Sequence, residues 1–326
     1  MIITRTPLRI SIGGGGTDLP SYFERFGGFV ISAAIDKYVY VALHKTFQKT
    51  YMIRYSQFEA VDDVASIKHP IVREAFKLHD VGPFIEMVSM ADIPAGTGLG
   101  SSGSFNVGLL RGIYTMKREP VTNFGLADEA CKLEIDILRE PIGKQDQFIA
   151  AFGGITCFEF EKNGGVNVAP LRISNDSLAD LEDNLLMFFT GYSRSASNVL
   201  SDQKKRSEVD DKEMLNNLHF IKDLGITIKK ELEKGNCSEF GRLMHEHWLH
   251  KKKRSSGISS DQINRWYDVG FANGALGGKL IGAGGGGFLM FYAKDRVALR
   301  EAMAKEGLSE VRFRFDHHGS RVMVEN

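Results

Sequence analysis

The sequence predicts an α+β protein of two domains, and three observations carry that prediction. Segments with strand periodicity and segments with helical periodicity come in blocks, without the strict strand–helix–strand alternation of a doubly wound parallel sheet. The 326 residues exceed what one hydrophobic core ordinarily fills. Glycine is the one compositional excess, with 35 residues, and it gathers at 13–16, 96–103 and 277–287, as expected of backbone turns that side chains would obstruct.

The totals also exclude function classes. Lys+Arg and Asp+Glu balance at 41 each, so no global field draws the chain to nucleic acid or to an anionic membrane, and any anion must be held by a local site. Cys131, Cys157 and Cys237 are far apart and lack CxxC spacing, which favours small buried thiols in a reducing compartment over a disulfide framework or a zinc cluster. The N-terminal MIITRTPLRI has no apolar core of signal-peptide length, and FVISAAI is interrupted by Asp36, so a cytoplasmic location is expected.

In chain order, IITRTPLRISI, FVISAAI and YVYVAL are rich in β-branched and aromatic residues and predict several strands between Ile2 and about Tyr55. IVREAFKLH (71–79) has helical spacing, and FIEMVSM (84–90) returns to strand. DIPAGTGLGSSGS (92–104) follows, and then SFNVGLLRGIYTMKRE, whose Phe105, Leu109, Leu110, Ile113 and Tyr114 fall near one helical face, with Ser104 or an earlier serine as N-cap. A second helix is expected from about Asn123 to Arg139, ended by Pro141, and ITCFEF (155–160) reads as a strand. The polar stretch from Asn163 to Leu181 predicts the boundary between a domain of residues 1–175 and one of 176–326. Beyond it come LLMFFTG as strand, charged amphipathic helices through 200–253, a helix near 259–273 and a β-rich end that includes FLMFYA and VRFRF.

The loop at 92–104 lies between a strand and a helix start, where unpaired backbone N–H groups and the positive end of the helix dipole suit phosphate oxygens. It is not a Walker loop, because the first lysine after Gly100 is Lys117, far along the helix. Its GLGSSG has the GxGxxG spacing of a dinucleotide fold, but Pro94 and the helical character of 119–129 spoil the context. On spacing alone, Asp146 in GKQDQ reads either as a carboxylate aimed into a cleft or as a helix cap, and Glu134 in KLEID as either a site residue or a solvated charge. The histidines of HEHWLHKKKR do not share one helical face, which argues against zinc. The basic run that follows, Lys251 to Arg254, is either a solvated helix end or a reader of substrate phosphate.

Taken together, PLRISIGGGGTD, IPAGTGLGSSG, GKQDQFIAAFGG and KLIGAGGGGFLM resemble the blocks of the GHMP kinase superfamily. IGGGGTDLPSYF, TGYSRSAS and NGALGGKLIGAGGGGFLMF look most like its heptose 7-phosphate kinase branch. The resemblance implies a two-domain GHMP kinase fold with ATP, Mg²⁺ and a sugar phosphate in the cleft between the domains. It implies that Pro94, Gly96, Gly98, Leu99, Gly100, Ser101, Ser102 and Gly103 wrap the ATP phosphates, with Ser102 and Glu134 as Mg²⁺ ligands. Asp146 matches the catalytic aspartate and Arg9 the basic residue beside it, a neighbour that favours the ionised carboxylate at the cost of basicity.

Gly15, Gly16, Thr17 and Asp18 match the sugar site, to which Gly284 and Gly285 of the third glycine run are added. Gly15 and Gly16 replace the Glu-His pair of galactokinases, which predicts a roomier sugar pocket. Arg194, Lys252 and Arg254 are candidates for a substrate phosphate, because a dianion is costly to desolvate unpaired. The activity implied is phosphorylation of the anomeric hydroxyl of D-glycero-D-manno-heptose 7-phosphate to the 1,7-bisphosphate, toward nucleotide-activated heptose. The alternatives are another sugar 1-kinase, acting on fucose or galactose, and an NAD-dependent oxidoreductase resting on GLGSSG alone.

Overall fold

The computed structural model describes residues 1–191, 197–209, 211–255 and 257–325. The first half opens with β1 (Ile2–Gly13), α1 (Pro20–Phe26), the long β2 (Gly28–Lys45), β3 (Tyr51–Arg54) and β4 (Phe58–Val61). It continues through α2 (Pro70–Leu78), β5 (Ile85–Ala91), α3 (Ser101–Lys117), α4 (Asn123–Cys131), α5 (Gln145–Phe152), β6 (Ile155–Phe160) and β7 (Val166–Pro170). The second half adds α6 (Asn175–Asn184), β8 (Leu185–Phe189), α7 (Ser197–Glu208), α8 (Lys212–Glu233), α9 (Cys237–Lys252) and α10 (Asp261–Ala272). It ends with β9 (Ala275–Leu280), β10 (Phe288–Ala293), α11 (Arg296–Lys305), β11 (Ser309–Glu310) and β12 (Arg321–Glu325).

Two sheets organise these elements. The larger runs β12-β1-β2-β5-β3-β4, with β6 and β7 continuing from β2. That branching follows from the length of β2, whose early residues Gly28–Ala33 pair with β6 while Val39–Lys45 pair with β5. The smaller sheet, β11-β8-β10-β9, is antiparallel throughout. The β1 strand alternates buried and half-buried residues at its start but is wholly buried from Thr6 to Arg9, where α3 and α5 pack against it as well as α8.

The side-chain alternation of β8 and β10 joins the halves. Leu185, Met187, Met290 and Tyr292 point into the core of the large sheet, while Leu186, Phe188, Leu289 and Phe291 face a second core with Trp248, Tyr267 and Leu299. The expected division at 175/176 separates the two sheets except at the chain end, where β12 returns to pair with β1.

Several local expectations are corrected. The helix expected through Arg139 stops as α-helix at Cys131 and continues as a π-helical turn over Lys132–Ile137. No serine caps α3: its N-cap is Gly100, in the left-handed region, and the Ser104 hydroxyl instead donates toward the carbonyls of Pro7 (2.7 Å) and Gly100 (3.1 Å). VRFRF alternates but forms no ladder beyond an isolated bridge from Phe315 to Ile35. There the N–H groups of Arg314 and Phe315 donate to the carboxylates of Asp36 and Glu182, both at 2.9 Å, which replace a neighbouring strand. The β-rich end also contains the helix α11, which the sequence reading did not anticipate.

Because the large core crosses from one sheet to the other, the chain is expected to unfold in a single transition. Its only two tryptophans, Trp248 and Trp266, both sit in the second core, so their fluorescence reports that part alone. Urea midpoints by tryptophan fluorescence and by far-ultraviolet circular dichroism should coincide; an earlier fluorescence transition would show that the halves fold independently.

Candidate active site

The site is built around Arg9, placed by β1 and only 5% exposed. Its guanidinium donates through Nε to Asp146 Oδ1 (2.7 Å) and through Nη2 to Oδ2 (2.9 Å), a two-pronged pairing that fixes the carboxylate plane. Its Nη1 donates to the Gly98 carbonyl (2.5 Å), and its own backbone N–H to the Leu99 carbonyl (2.9 Å). Two carbonyl oxygens of the loop are thereby turned toward β1, and the amides at the start of α3 carry no side-chain cap. Asp146 lies in the first turn of α5, against Gly100 and Gly103 at the head of α3, so a carboxylate sits close to two helix N-termini.

Glu134 is delivered by the π-helical turn and is 1% exposed. It accepts from the Ser102 hydroxyl (2.5 Å), Gln147 Nε2 (2.7 Å) and Asn106 Nδ2 (3.0 Å). Burial raises its pKa and the charge of Asp146 adds to the rise, against the lowering effect of those three donors. No cation pairs with it among the described residues, and Asn106 Oδ1 beside it is buried without a partner. A hydroxyl and a carboxylate oxygen side by side, opening on the cleft, are hard donors that suit Mg²⁺ completed by phosphate oxygens. Among the described residues no group of three or more His, Cys, Asp or Glu could hold a metal without such help.

Asp18 lies near Asp146, accepting the backbone N–H of Gly16 (3.0 Å) and of Gln145 (3.2 Å), the residue before Asp146. Burial raises its pKa first, and the nearby Asp146 second. One cleft of about 810 Å³ joins Arg9, Asp146, Glu134 and Asp18 with Gly96, Gly98, Gly100, Ser101, Ser102 and Gly103 of the loop. Gly15, Gly16, Gly284 and Arg254 reach the same cleft.

Five expected contacts lie outside its lining. The Pro94 carbonyl accepts from the Thr97 hydroxyl, and the Leu99 side chain is buried, so both shape the loop from behind. Thr17 engages its hydroxyl with the Phe29 and Gly14 backbone and holds the turn beneath Asp18. Gly285 donates its N–H to the Ile258 carbonyl, and Lys252 reaches Asn264 (3.3 Å) above the Trp248 ring. Arg194 lies outside the described residues.

The glycines at 15 and 16 do not simply enlarge the pocket. A Cβ on Gly16, whose φ is 101°, would stand 2.6 Å from Arg254 Nη1, and one on Gly15 would stand 2.9 Å from Ser11 Oγ, so the room at Gly16 is filled by a guanidinium. The sequence reading also missed Lys279 and His247, which line the cleft and are buried. The one signal for Lys279 was a lysine between glycines and aliphatic residues in a strand, GGKLIG.

The GxGxxG spacing of GLGSSG carries no dinucleotide fold here. The strand before it, β5, is antiparallel to β2, and the sole parallel pair among the described strands is β3 with β5.

Residues 64–154 match the model of the GHMP kinases N-terminal domain, and residues 228–308 that of the GHMP kinases C-terminal domain. The chain is 31% identical to a D-glycero-alpha-D-manno-heptose 7-phosphate kinase of Campylobacter jejuni, over 94% of both chains. It is 29% identical to the L-fucokinase/L-fucose-1-P guanylyltransferase of Bacteroides fragilis, over 90% of this chain and 35% of that protein. Among solved structures, a putative sugar kinase of Campylobacter jejuni superposes with a TM-score of 0.77 at 28% identity, covering 98% of this chain and 97% of the other. A D-glycero-D-manno-heptose 1-phosphate kinase of Bacteroides thetaiotaomicron gives 0.80 at 24% identity over the whole of both chains.

The chain therefore belongs to the GHMP kinases, enzymes that use ATP to phosphorylate an alcohol group. Within that family it is a sugar kinase, similar to heptose phosphate kinases. No helix among the described residues is long and apolar enough to cross a membrane.

The loop geometry generates a prediction about nucleotide binding. Gly98 has φ 83°, and a Cβ there would stand 2.6 Å from the Ile281 carbonyl oxygen in the third glycine run. Gly98→Ala should strain the loop by about 1–3 kcal/mol and weaken ATP binding by roughly tenfold or more. Titration calorimetry checks this, and wild-type affinity would mean that the loop is not the phosphate cradle.

Proposed function

We propose that the protein transfers the γ-phosphoryl group of ATP to the anomeric hydroxyl of D-glycero-D-manno-heptose 7-phosphate, giving the 1,7-bisphosphate. The observation that carries the chemistry is the Arg9–Asp146 pair set between the uncapped start of α3 and Asp18, within one cleft. The heptose phosphate is supported by similarity to the Campylobacter jejuni enzyme. The cleft floor draws on both proposed domains, residues 1–175 and 176–326, the first completed by β12.

In this reading the backbone amides of Ser101, Ser102 and Gly103 bind phosphate oxygens at the positive end of α3. Ser102 and Glu134 would hold Mg²⁺, which when bound offsets charge on the nucleotide phosphates. Asp18 accepts hydrogen bonds from sugar hydroxyls and fixes the ring. Asp146, with its plane locked by Arg9, uses the remaining lone pairs of its oxygens to orient the acceptor hydroxyl for in-line attack. It takes the hydroxyl proton late, as the new O–P bond forms. Arg9 keeps positive charge beside the site of transfer, and most of the catalytic effect comes from positioning and electrostatics.

Asp146→Asn should lower kcat by roughly 10²–10⁴-fold while ATP still binds. Single-turnover assays with calorimetry separate the two effects, and near-normal turnover would remove Asp146 from the reaction.

A second reading, phosphorylation of an unphosphorylated sugar such as fucose, is favoured by the similarity to the Bacteroides fragilis fucokinase. A screen of sugars and sugar phosphates, with the product position read by phosphorus NMR, decides between them. The proposed reaction requires a new anomeric phosphate on a heptose that already carries one at C7. A new signal at C7 of a heptose 1-phosphate, the substrate named for the Bacteroides thetaiotaomicron structure, would reverse the regiochemistry.

A further inference from the structure

Three buried cations in the cleft have no part in the chemistry just described. Arg254, at the end of α9, is 5% exposed; Lys251, one turn earlier, 8%; Lys279, on β9, 2%. Their hydrogen bonds go to neutral acceptors. Arg254 donates through Nε to Asn217 Oδ1 (2.9 Å) and through Nη1 to the Gly15 carbonyl (3.0 Å). Lys251 donates to the carbonyls of Leu280 (2.7 Å) and Gly282 (2.5 Å). Lys279 donates to the Ile12 carbonyl (2.8 Å) and lies 3.1 Å from His247 Nδ1. Arg254 Nη2 is buried with no partner at all. Among the described residues, no carboxylate forms an ion pair with any of the three.

We propose that Arg254, Lys251 and Lys279 form an anion subsite that receives the phosphate monoester already present on the acceptor sugar. The proposal rests on the sugar-kinase reading above and assigns the cleft residues that would select a sugar phosphate over a free sugar.

Buried cations without counter-charge are costly, and an oxygen-rich dianion relieves that cost through charge-assisted hydrogen bonds to donors already in place. The strain shows in their protonation. Burial first, and mutual repulsion second, bring Lys251 down to about 7 and Lys279 well below its usual value. Burial likewise lowers Arg254 to about 10, with Asp18 acting against the fall. His247 is held neutral by burial and by the same cations, so it supplies an acceptor to Lys279 and no further charge.

Position favours the sugar's phosphate over the nucleotide's. Arg254 grips the turn that carries Asp18, through Gly15 and against Gly16, and Gln203 donates to the Gly16 carbonyl beside it (2.9 Å). Lys279 holds Ile12, immediately before that turn. Only Lys251 touches the Gly282 segment that packs against Gly98 of the nucleotide loop. Two of the three are therefore anchored at the sugar end, and all three are fixed by backbone or buried amide groups.

Two measurements test the subsite. On the wild-type enzyme, inorganic phosphate should compete with the sugar phosphate and not with ATP; competition with ATP alone would assign the cations to the nucleotide and overturn the proposal. In Arg254→Gln and, separately, Lys279→Met, the ratio of kcat/KM for the sugar phosphate to that for the same sugar without phosphate should fall about 100-fold. An unchanged ratio, with both substrates affected alike, would reduce the cluster to a structural role.

Calorimetric binding of inorganic phosphate to the free protein, lost in both variants, separates this inference from the kinase assignment. If the wild type phosphorylates no sugar phosphate yet binds phosphate in this way, the substrate reading fails and the three cations remain an anion site, but not one that reads an acceptor's phosphate. Phosphate binding undiminished in both variants sinks the subsite itself. Circular dichroism of Lys279→Met, close in volume to the native side chain, guards against loss of fold.

Discussion

The fork of Arg9 is the interaction on which the rest of the site depends. A phosphate cradle made of backbone has a built-in difficulty, because each peptide unit that offers an N–H also carries a carbonyl oxygen that repels an anion. Here two such oxygens, on Gly98 and Leu99, are bound by the guanidinium and by the backbone N–H of one residue. The same guanidinium fixes both oxygens of Asp146. Nucleotide loop and acceptor carboxylate are therefore positioned by a single rigid cation on strand β1. A lysine could neutralise Asp146, but it lacks the planar fork that holds a carboxylate and a carbonyl at once.

Around that fork, charges of opposite sign are kept apart instead of being cancelled. Asp18 and Glu134 are buried, with polar but uncharged donors, and burial pushes both toward protonation. The lysines and Arg254 face the mirror situation with neutral acceptors. Had these groups paired with one another, the cleft would be more stable and less useful, since paired charges have little left to offer a ligand. The cost of leaving them unpaired is borne by the well-packed cores on either side.

How much of this was legible in the sequence depended on whether a feature is local. Strands such as β6 and β10 follow from short runs of apolar and aromatic residues, and the helix after the glycine loop from the spacing of its apolar residues. The clustering of Arg9, Asp18, Glu134 and Asp146 had no local signal, and it was anticipated only because the glycine blocks resembled a family. The π-helical turn that aims Glu134 at Ser102 involves a shift in hydrogen bonding that no residue of KLEID announces. VRFRF has the alternation of a strand, yet side-chain carboxylates took its hydrogen bonds. Lys279 was missed because charge in a strand suggests a solvated face, whereas tertiary packing buries this one at the wall of the cleft.

The absence of a Walker lysine ties these points together. In a P-loop the cation arrives from within the phosphate loop itself. Here the loop from Pro94 to Gly103 contains no basic residue, and positive charge converges from three separate elements: Arg9 from β1, Lys251 and Arg254 from the end of α9, and Lys279 from β9. Two of those elements belong to the second half of the chain. A cleft charged in this way exists only when both sheets are assembled, so the shared core along β8 and β10 is a condition for function as well as for stability. The third glycine run follows from the same requirement: it lets the β9–β10 connection approach Gly98 at backbone distance and brings Lys251 in behind it.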